Sequence, residues 1–450
     1  MSGFWAALGR NLADLPGNLV RGLRPGTGGE ADRPARRMRR AFVYHLHPLQ
    51  VSARSLRPLT TLGLGLTALT LFLALCLTGV LLMIYYVPTT RDALASTQDI
   101  QHAVAFGAFV RALHRWAGHG MVAVVVLHLV RVWATGAYVR RELNWLLGLA
   151  LLVMTLALAF TGYLLPWDQL SFWAVSVSAN LMDHVPWFGD GLKRLLLGGD
   201  SVGQAALSRF YMLHVAGLPA LMIAVLVYHL WRVRKDGGLA VPAGAPVERR
   251  PAWPHLVLRE AILILLVLAA FSLLSLYLDA PLGGVADPHN PSNPEKTPWY
   301  FLWLQEMVSY SAVVGGFVFP GVLLLGLLAL PWLEREELDV GRWFGPRAGR
   351  IAVIVSAVLS VAALAVFVTL YLSGGANAKV SNWLNPATGM IVLSALVFLA
   401  AGTLSRSTRV AFLAGLAVLA VAVLGFTLLG VCRGPNWILY WPWEEWPLVW

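Results

Sequence analysis

Long apolar runs separated by short polar segments dominate the chain from about residue 59 onward. Nine runs are long enough to cross a hydrocarbon core of about 30 Å as helices: 59–87, 109–135, 145–166, 205–233, 256–279, 311–333, 350–373, 386–404 and 408–431. A helix satisfies its own backbone hydrogen bonds in lipid, so the pattern predicts an all-α integral membrane protein. Residues 1–57 differ. MSGFWAALGRNLADLPGNLV alternates apolar and polar positions, is too broken for a signal peptide, and runs into a basic tract at Arg33–Arg40. It reads as an interfacial amphipathic helix with a cytoplasmic tail.

Arg33–Arg40, Arg140–Arg141, Arg232–Lys235, Arg335–Arg350 and the pair Arg406 and Arg409 all fall on one side of the nine runs. That side should be the cytoplasm, in the inner (cytoplasmic) membrane, with the N-terminus inside and the C-terminus periplasmic. Segments 88–108, 167–204 and 280–310 then face outward. The Gly-, Pro- and Ala-rich stretch 236–254 reads as a linker. It divides a four-helix region, 58–235, from a three-helix region, 255–373, and a final part, 374–450, with two more helices. The closing segment NWILYWPWEEWPLVW suggests an interfacial aromatic belt or a docking surface for an outside partner.

Two of the apolar runs carry paired histidines. His114 and His128 are 14 residues apart and His214 and His229 are 15 apart, so each pair lies on roughly one helix face, with about 21 Å between its members. An intramembrane histidine is costly without a partner. Two helices repeating one interval suggest two metal centres stacked across the membrane, His114 with His214 and His128 with His229. Heme suits this geometry, because the macrocycle takes one imidazole from each helix and fills the bundle core with apolar surface. With both axial positions occupied, such centres carry electrons.

Gly65 and Gly79 in the first run, and Gly148 and Gly162 in the third, repeat the interval of 14. Glycine weakens a helix by about 1 kcal/mol relative to alanine, so these pairs predict clearance for two porphyrins. Arg111, Arg115 and Arg209 near the outer pair, and Arg131 and Arg232 near the inner pair, are candidates to neutralise heme propionates.

Composition narrows the picture further. The 450 residues are 58% hydrophobic and 13% charged, with 19 Trp. The net charge of +11 sits in loops, where topology and lipid headgroups account for it, so nucleic acid is not an expected partner. Cys76 and Cys432 form no disulfide framework, and the absence of CxxCH assigns any c-type heme to another subunit.

Together these residues resemble the cytochrome b subunit of quinol-oxidising cytochrome bc and bf complexes. RALHRWAGHGMVAVVVLHLVRVWATG, TGYLLPWDQLSFWAV, SVGQAALSRFYMLHVAGLP and YHLWRVRKDG carry the resemblance, and PWDQ at Pro166–Gln169 is closer to the bf type. It covers roughly residues 58–373, the second half being similar to a separate subunit IV, here fused on. The resemblance implies an outer quinol-oxidation site and an inner quinone-reduction site. Tyr163, Pro166, Trp167 and Asp168 match one wall of the outer site, and Pro298, Trp299 and Tyr300 the other. The family spells that second wall Pro-Glu-Trp-Tyr; here Thr297 precedes Pro298-Trp299-Tyr300, and the carboxylate that takes a quinol proton is missing. Glu306 and Asp168 are the expected substitutes. His45, His47, Arg234, Lys235 and Asp236 are candidates for the inner site. Gly63 stands where bf complexes tether an extra heme through cysteine, so two non-covalent b hemes and no covalent heme are expected.

The implied mechanism is bifurcated. One quinol electron leaves to a Rieske iron-sulfur protein and a c-type cytochrome outside, and the other crosses from the outer heme to the inner one. Movement against a membrane potential costs about 2.3 kcal/mol per 100 mV, so the inner heme should have the higher potential. The resemblance also implies a homodimer within a larger complex, drawing on the membrane quinone pool. The altered loop favours an alternative, a Rieske-independent di-heme module wired to a periplasmic multiheme c-type cytochrome and working in the quinone-reducing direction. A transporter or purely structural subunit would show no b-heme absorbance.

Overall fold

The computed structural model describes residues 2–15, 17, 48–238, 248–337, 339–373, 383–440 and 443–444. His45, His47, the Arg33–Arg40 tract and several tail tryptophans lie outside the described residues. The described chain is all-α apart from one short antiparallel pair, β1 (Gln50–Ser52) and β2 (Arg249–Pro251), which ties the segment before the first span to the one before the fifth.

Helix α1 (Ser2–Ala13) precedes the spanning region. Then come α2 (Leu64–Met83), the short α3 (Ala93–His102), α4 (Gly107–Thr135), α5 (Glu142–Tyr163), the surface helices α6 (Gln169–Met182) and α7 (Gly189–Leu197), α8 (Gln204–Lys235) and α9 (His255–Tyr277). The second half holds α10 (Trp299–Tyr310), α11 (Val314–Leu333), α12 (Arg347–Ser373), α13 (Pro386–Ser405) and α14 (Thr408–Val431). Among the described residues nine helices are long and apolar enough to span a membrane: α2, α4, α5, α8, α9 and α11 to α14. They alternate in direction, so the protein has a basic end, where the arginine clusters gather, and a distal end.

Two helices contain a widened π turn, at Leu213–Gly217 in α8 and Val314–Val318 in α11. Pro219 and Pro320 follow. A proline ring offers no N–H and crowds the carbonyl one turn back, and a locally wider turn accommodates it without ending the helix. In α8 that turn contains His214.

Three apolar clusters organise the packing. Leu71, Phe72, Ala117, Met121, Met154, Met222 and Val267 fill the first bundle at heights between the two histidine levels. Leu164, Trp167, Val175, Leu197 and Phe210 hold the distal loops and surface helices together. The largest cluster joins Trp133, Tyr138 and Trp145 of the first half to Met307, Phe319, Leu330 and Phe426 of the second.

Helix α14 lies at the heart of the second half. Over its most apolar window 56% of the residues are buried, against 6% for α9 at the periphery. It packs on α10, α12 and α13. Each end is fixed by a buried ion pair. At the basic end Arg409 meets Glu334 at 3.2 Å, Tyr138 donates to the same carboxylate at 2.6 Å, and both charged side chains are fully buried. Gly136, at φ +65°, passes so close that a Cβ there would lie 2.6 Å from the Arg409 guanidinium. At the distal end Arg433 grips Glu306 with Nε and Nη2. Such pairs fix register more than they stabilise, because desolvation offsets most of the attraction. Phe4 of α1 is buried against Phe398 of α13, and Asn11 donates to the Leu333 carbonyl, so the N-terminal helix is docked on the bundle.

Candidate functional site

In the first bundle α2 packs on α4, and α5 on both α4 and α8. This brings His114 and His214 face to face, ring centres 6.1 Å apart and planes at 72°. His128 and His229 lie within electrostatic reach of each other one level nearer the basic end. A metal ion held between two imidazole nitrogens at about 2 Å each separates ring centres by roughly 6 Å. The distal pair has that separation.

The ring orientation at the distal level follows from two threonines. Thr78 donates its only hydroxyl proton to the Ala74 carbonyl at 2.7 Å, and Thr161 donates to Ala157 at 2.8 Å. Each hydroxyl oxygen also touches a histidine Nδ1, Thr78 with His114 at 2.9 Å and Thr161 with His214 at 3.2 Å. With its proton engaged, the oxygen can only accept, so both imidazoles carry hydrogen on Nδ1 and leave Nε2 bare for a metal. At the other level the Nδ1 atoms of His128 and His229 are buried and meet no threonine hydroxyl, His229 having the Asn144 backbone as its hydrogen-bonding neighbour.

The four glycines face these rings one to one. A Cβ on Gly65 would lie 3.6 Å from His128 Cε1, on Gly79 3.3 Å from His114, on Gly148 3.6 Å from His229, and on Gly162 2.4 Å from His214. The clearance they provide is therefore first for the imidazole of the neighbouring helix, where the 14-residue interval suggested the macrocycle.

The arginines divide. Arg115 and Arg131 each keep a buried Nε without a protein partner, as an acidic group of a cofactor would require. Arg232 also keeps a free buried Nε while pairing with Asp236 at 2.7 Å. Arg111 is already committed to Gln101 and the Ala280 carbonyl. Arg209 is exposed and donates from Nη1 to carbonyls of α7, Arg194 and Leu195. Four imidazoles in two facing sets, glycine clearance beside each and unpaired buried guanidinium nitrogens fit two b-type hemes.

At the distal end the two loops expected to form a quinol site are in contact. Asp168 pairs with Val285 in a β-bridge, and Gln169 bonds Gly284 and Asp287. Trp167 turns the chain at φ +53° and is buried. Tyr163 lies within electrostatic reach of Asp168, Glu295, Arg115 and Tyr300. Pro298 caps α10, Trp299 donates Nε1–H to His119 at 3.1 Å, and the Tyr300 ring stands 5.5 Å from His119. Burial pushes the Tyr300 hydroxyl up to about 12, with Arg115 opposing, so the phenol stays protonated.

Both carboxylates expected to take the proton are otherwise engaged. Asp168 caps α6, accepting from Ser171 N at 2.9 Å and Oγ at 2.7 Å, and also holds Gly283 N at 2.7 Å. Glu306 is fully buried and accepts from Arg433, from Tyr310 at 2.7 Å and from Trp437 at 2.9 Å. The reading of Glu306 as a free base is corrected: its lone pairs are taken by Tyr310 of its own helix and by Arg433 and Trp437 of the tail that follows α14. At the basic end, Asp236 keeps a buried Oδ2 without a partner, and burial raises its carboxyl above the usual range against Arg232 and Arg141. Arg234 is exposed.

The residues not foreseen are Thr78, Thr161, His119, Glu295 and Arg433. A signal for the threonines was present: both distal-level glycines follow threonine, Thr78-Gly79 and Thr161-Gly162, whereas Gly65 and Gly148 follow leucine.

Known proteins bear directly on this arrangement. Residues 54–237 match the cytochrome b/b6/petB family model. The cytochrome b6 of Heliobacterium modesticaldum is 47% identical over 192 residues, 42% of this chain and 88% of that protein. That of Cyanidium caldarium is 44% identical over 174 residues, 38% of this chain and 80% of that one. That of Synechococcus elongatus is 42% identical over 175 residues, 39% and 81%. The solved structure "Hyperthermophilic respiratory Complex III" shares the fold, with a TM-score of 0.63 over 89% of this chain and 95% of that one, at 24% identity.

Proposed function

Because the chain belongs to the cytochrome b/b6 family, a multi-pass family of b-type heme proteins, we propose that it is the di-heme subunit of a bc/bf-type complex that oxidises quinol at the distal end and reduces quinone at the basic end. The observation that carries this reading is the pair of imidazole levels, one of which lies beside the loops bearing Tyr163 and Tyr300. A b-type heme bound at each level would supply reversible one-electron transfer.

The chain's own residues do the rest. His114 with His214, and His128 with His229, would hold the iron, through nitrogens that Thr78 and Thr161 leave bare at the distal level. Arg115 and Arg131 take cofactor carboxylates. Tyr163, Phe160, Tyr300 and Phe301 gather apolar ring surface at the distal end, where a quinol head would stack. At the basic end Asp236 and Arg232 present an acid–base pair to a quinone, joined in this reading by Arg234. The partners are a Rieske-type iron-sulfur protein and a c-type cytochrome at the distal end, in the periplasm, within a dimeric complex in the inner membrane.

A redox-titrated visible spectrum of the purified complex, with its subunits identified, tests the reading. Two b-type components of unequal potential together with a Rieske subunit are expected. Two components accompanied only by a multiheme cytochrome would favour the Rieske-independent module, which the loop lacking its glutamate supports. One component, or none, would sink both.

A further inference from the structure

With Asp168 and Glu306 both saturated, one carboxylate on the distal loop remains to be explained. Glu295 lies three residues before Pro298, and both of its carboxylate oxygens are shut away from water, with Ser292 as their one hydrogen-bonding neighbour among the described residues. The residue is half-buried. Its backbone is held firmly: Gln305 of α10 donates Nε2–H to the Glu295 carbonyl at 2.6 Å, while its Oε1 accepts from Thr297 N at 2.8 Å and Thr297 Oγ1 at 3.0 Å. One glutamine side chain thus clamps the segment 295–297 onto the helix that carries Trp299 and Tyr300.

A carboxylate closed off from solvent, with Ser292 as its one hydrogen-bonding neighbour, is held poorly as an anion unless a proton reaches it. Such a group is poised to accept one. The groups around it are Asp168 at the start of α6, Tyr163 at the end of α5 and, sharing the Tyr163 environment, Arg115 of α4 and Tyr300 of α10. Its neighbour Lys296 turns away to the Val431 carbonyl at 2.9 Å.

We propose that Glu295 is the proton acceptor of the distal quinol site, replacing from three residues upstream the glutamate missing between Thr297 and Trp299. This rests on the reading that quinol is oxidised at that end. In the step, a quinol O–H bond breaks and a carboxylic O–H bond forms on Glu295, which passes the proton to water at the same end before taking the second. The two electrons leave singly, one to an iron-sulfur protein beyond this chain and one toward the His114–His214 level, and quinone departs. Burial raises the Glu295 carboxyl above the ordinary carboxylate range, Ser292 opposing and Asp168 adding to it. The rate should therefore fall, as pH drops, through a limb above that range.

The test compares the intact complex with its E295Q and E295D variants, supplied with a short-chain benzoquinol and with a naphthoquinol, following b-heme reduction across pH. Unchanged visible spectra of the variants report intact heme sites. A drop of about 10²-fold or more in E295Q, loss of its acid limb and partial recovery in E295D are expected. An E295Q rate and acid limb equal to those of the unaltered complex would overturn the proposal while leaving the distal site in place. If neither quinol reduces heme in the unaltered complex, the quinol reading itself fails, and the role of Glu295 with it.

Discussion

Gly162 stands directly against His214: a Cβ added there would lie 2.4 Å from Cε1 and 3.0 Å from both ring nitrogens. Real carbons do not approach that closely, and both partners sit in packed helices, so the ring would have to turn. In Gly162→Ala the distal level should lose its heme, and the heme-to-polypeptide ratio should fall toward half. Gly65→Ala and Gly148→Ala, with 3.6 Å clearances, should keep the full ratio. A fully loaded Gly162→Ala protein would show that the contact is not what reserves this glycine.

Thr78 and Thr161 accept from the ring N–H of His114 and His214, which makes these imidazoles stronger donors to iron and favours the oxidised state. Replacing either by valine removes a hydrogen bond worth ~1 kcal/mol, so the potential of the distal heme should rise by about 40 mV. The other level has no threonine contact to lose. A potentiometric titration of Thr161→Val should therefore shift one component and leave the second in place, narrowing the gap between them.

Glu306→Leu would strand Arg433 in the interior, and Arg433→Leu would strand Glu306, each costing about 3–5 kcal/mol. The double variant should lose clearly less than the two single losses combined. Thermal unfolding in detergent, followed by loss of the heme band, measures this. Glu306→Gln should lower the melting temperature and leave the acid limb of quinol oxidation where it is, as a residue that holds structure and moves no proton requires.

Gly136→Ala meets two obstacles together. At φ +65° a side chain costs roughly 1–3 kcal/mol, and its Cβ would press on the Arg409 guanidinium at 2.6 Å. A destabilisation at the top of that range or beyond is expected in a chemical unfolding curve. Full stability would mean that Arg409 has another place to go.

Much of this was legible in the sequence. Span positions follow from run length, because lipid imposes helices about 20 residues long. The histidine levels follow from the 14- and 15-residue intervals, because helical geometry converts interval to height. The fate of the carboxylates was not legible. Arg433 lies 127 residues from Glu306, and Gly283 lies 115 residues from Asp168. No local pattern announces such partners. Nor could the sequence show that α14 is central and α9 peripheral, since lipid-facing and protein-facing helices are equally apolar and the usual amphipathic signal disappears. The threonines before Gly79 and Gly162 were visible, yet their role depends on a side-chain proton whose direction only the helix geometry reveals.

Helix α14 begins next to Arg409 and ends next to Arg433, 24 residues or about 36 Å apart. Each arginine neutralises a carboxylate on a different element, Glu334 just beyond α11 and Glu306 in α10. The polypeptide could therefore be divided within 236–254 and leave both arginines on the same piece as their acids. Division near residue 374 would separate each acid from its cation, leaving two bare carboxylates in the interior. If nature or an engineer distributes this protein over two genes, the workable cut lies in the linker, and the last two spans must travel with the helices that precede them.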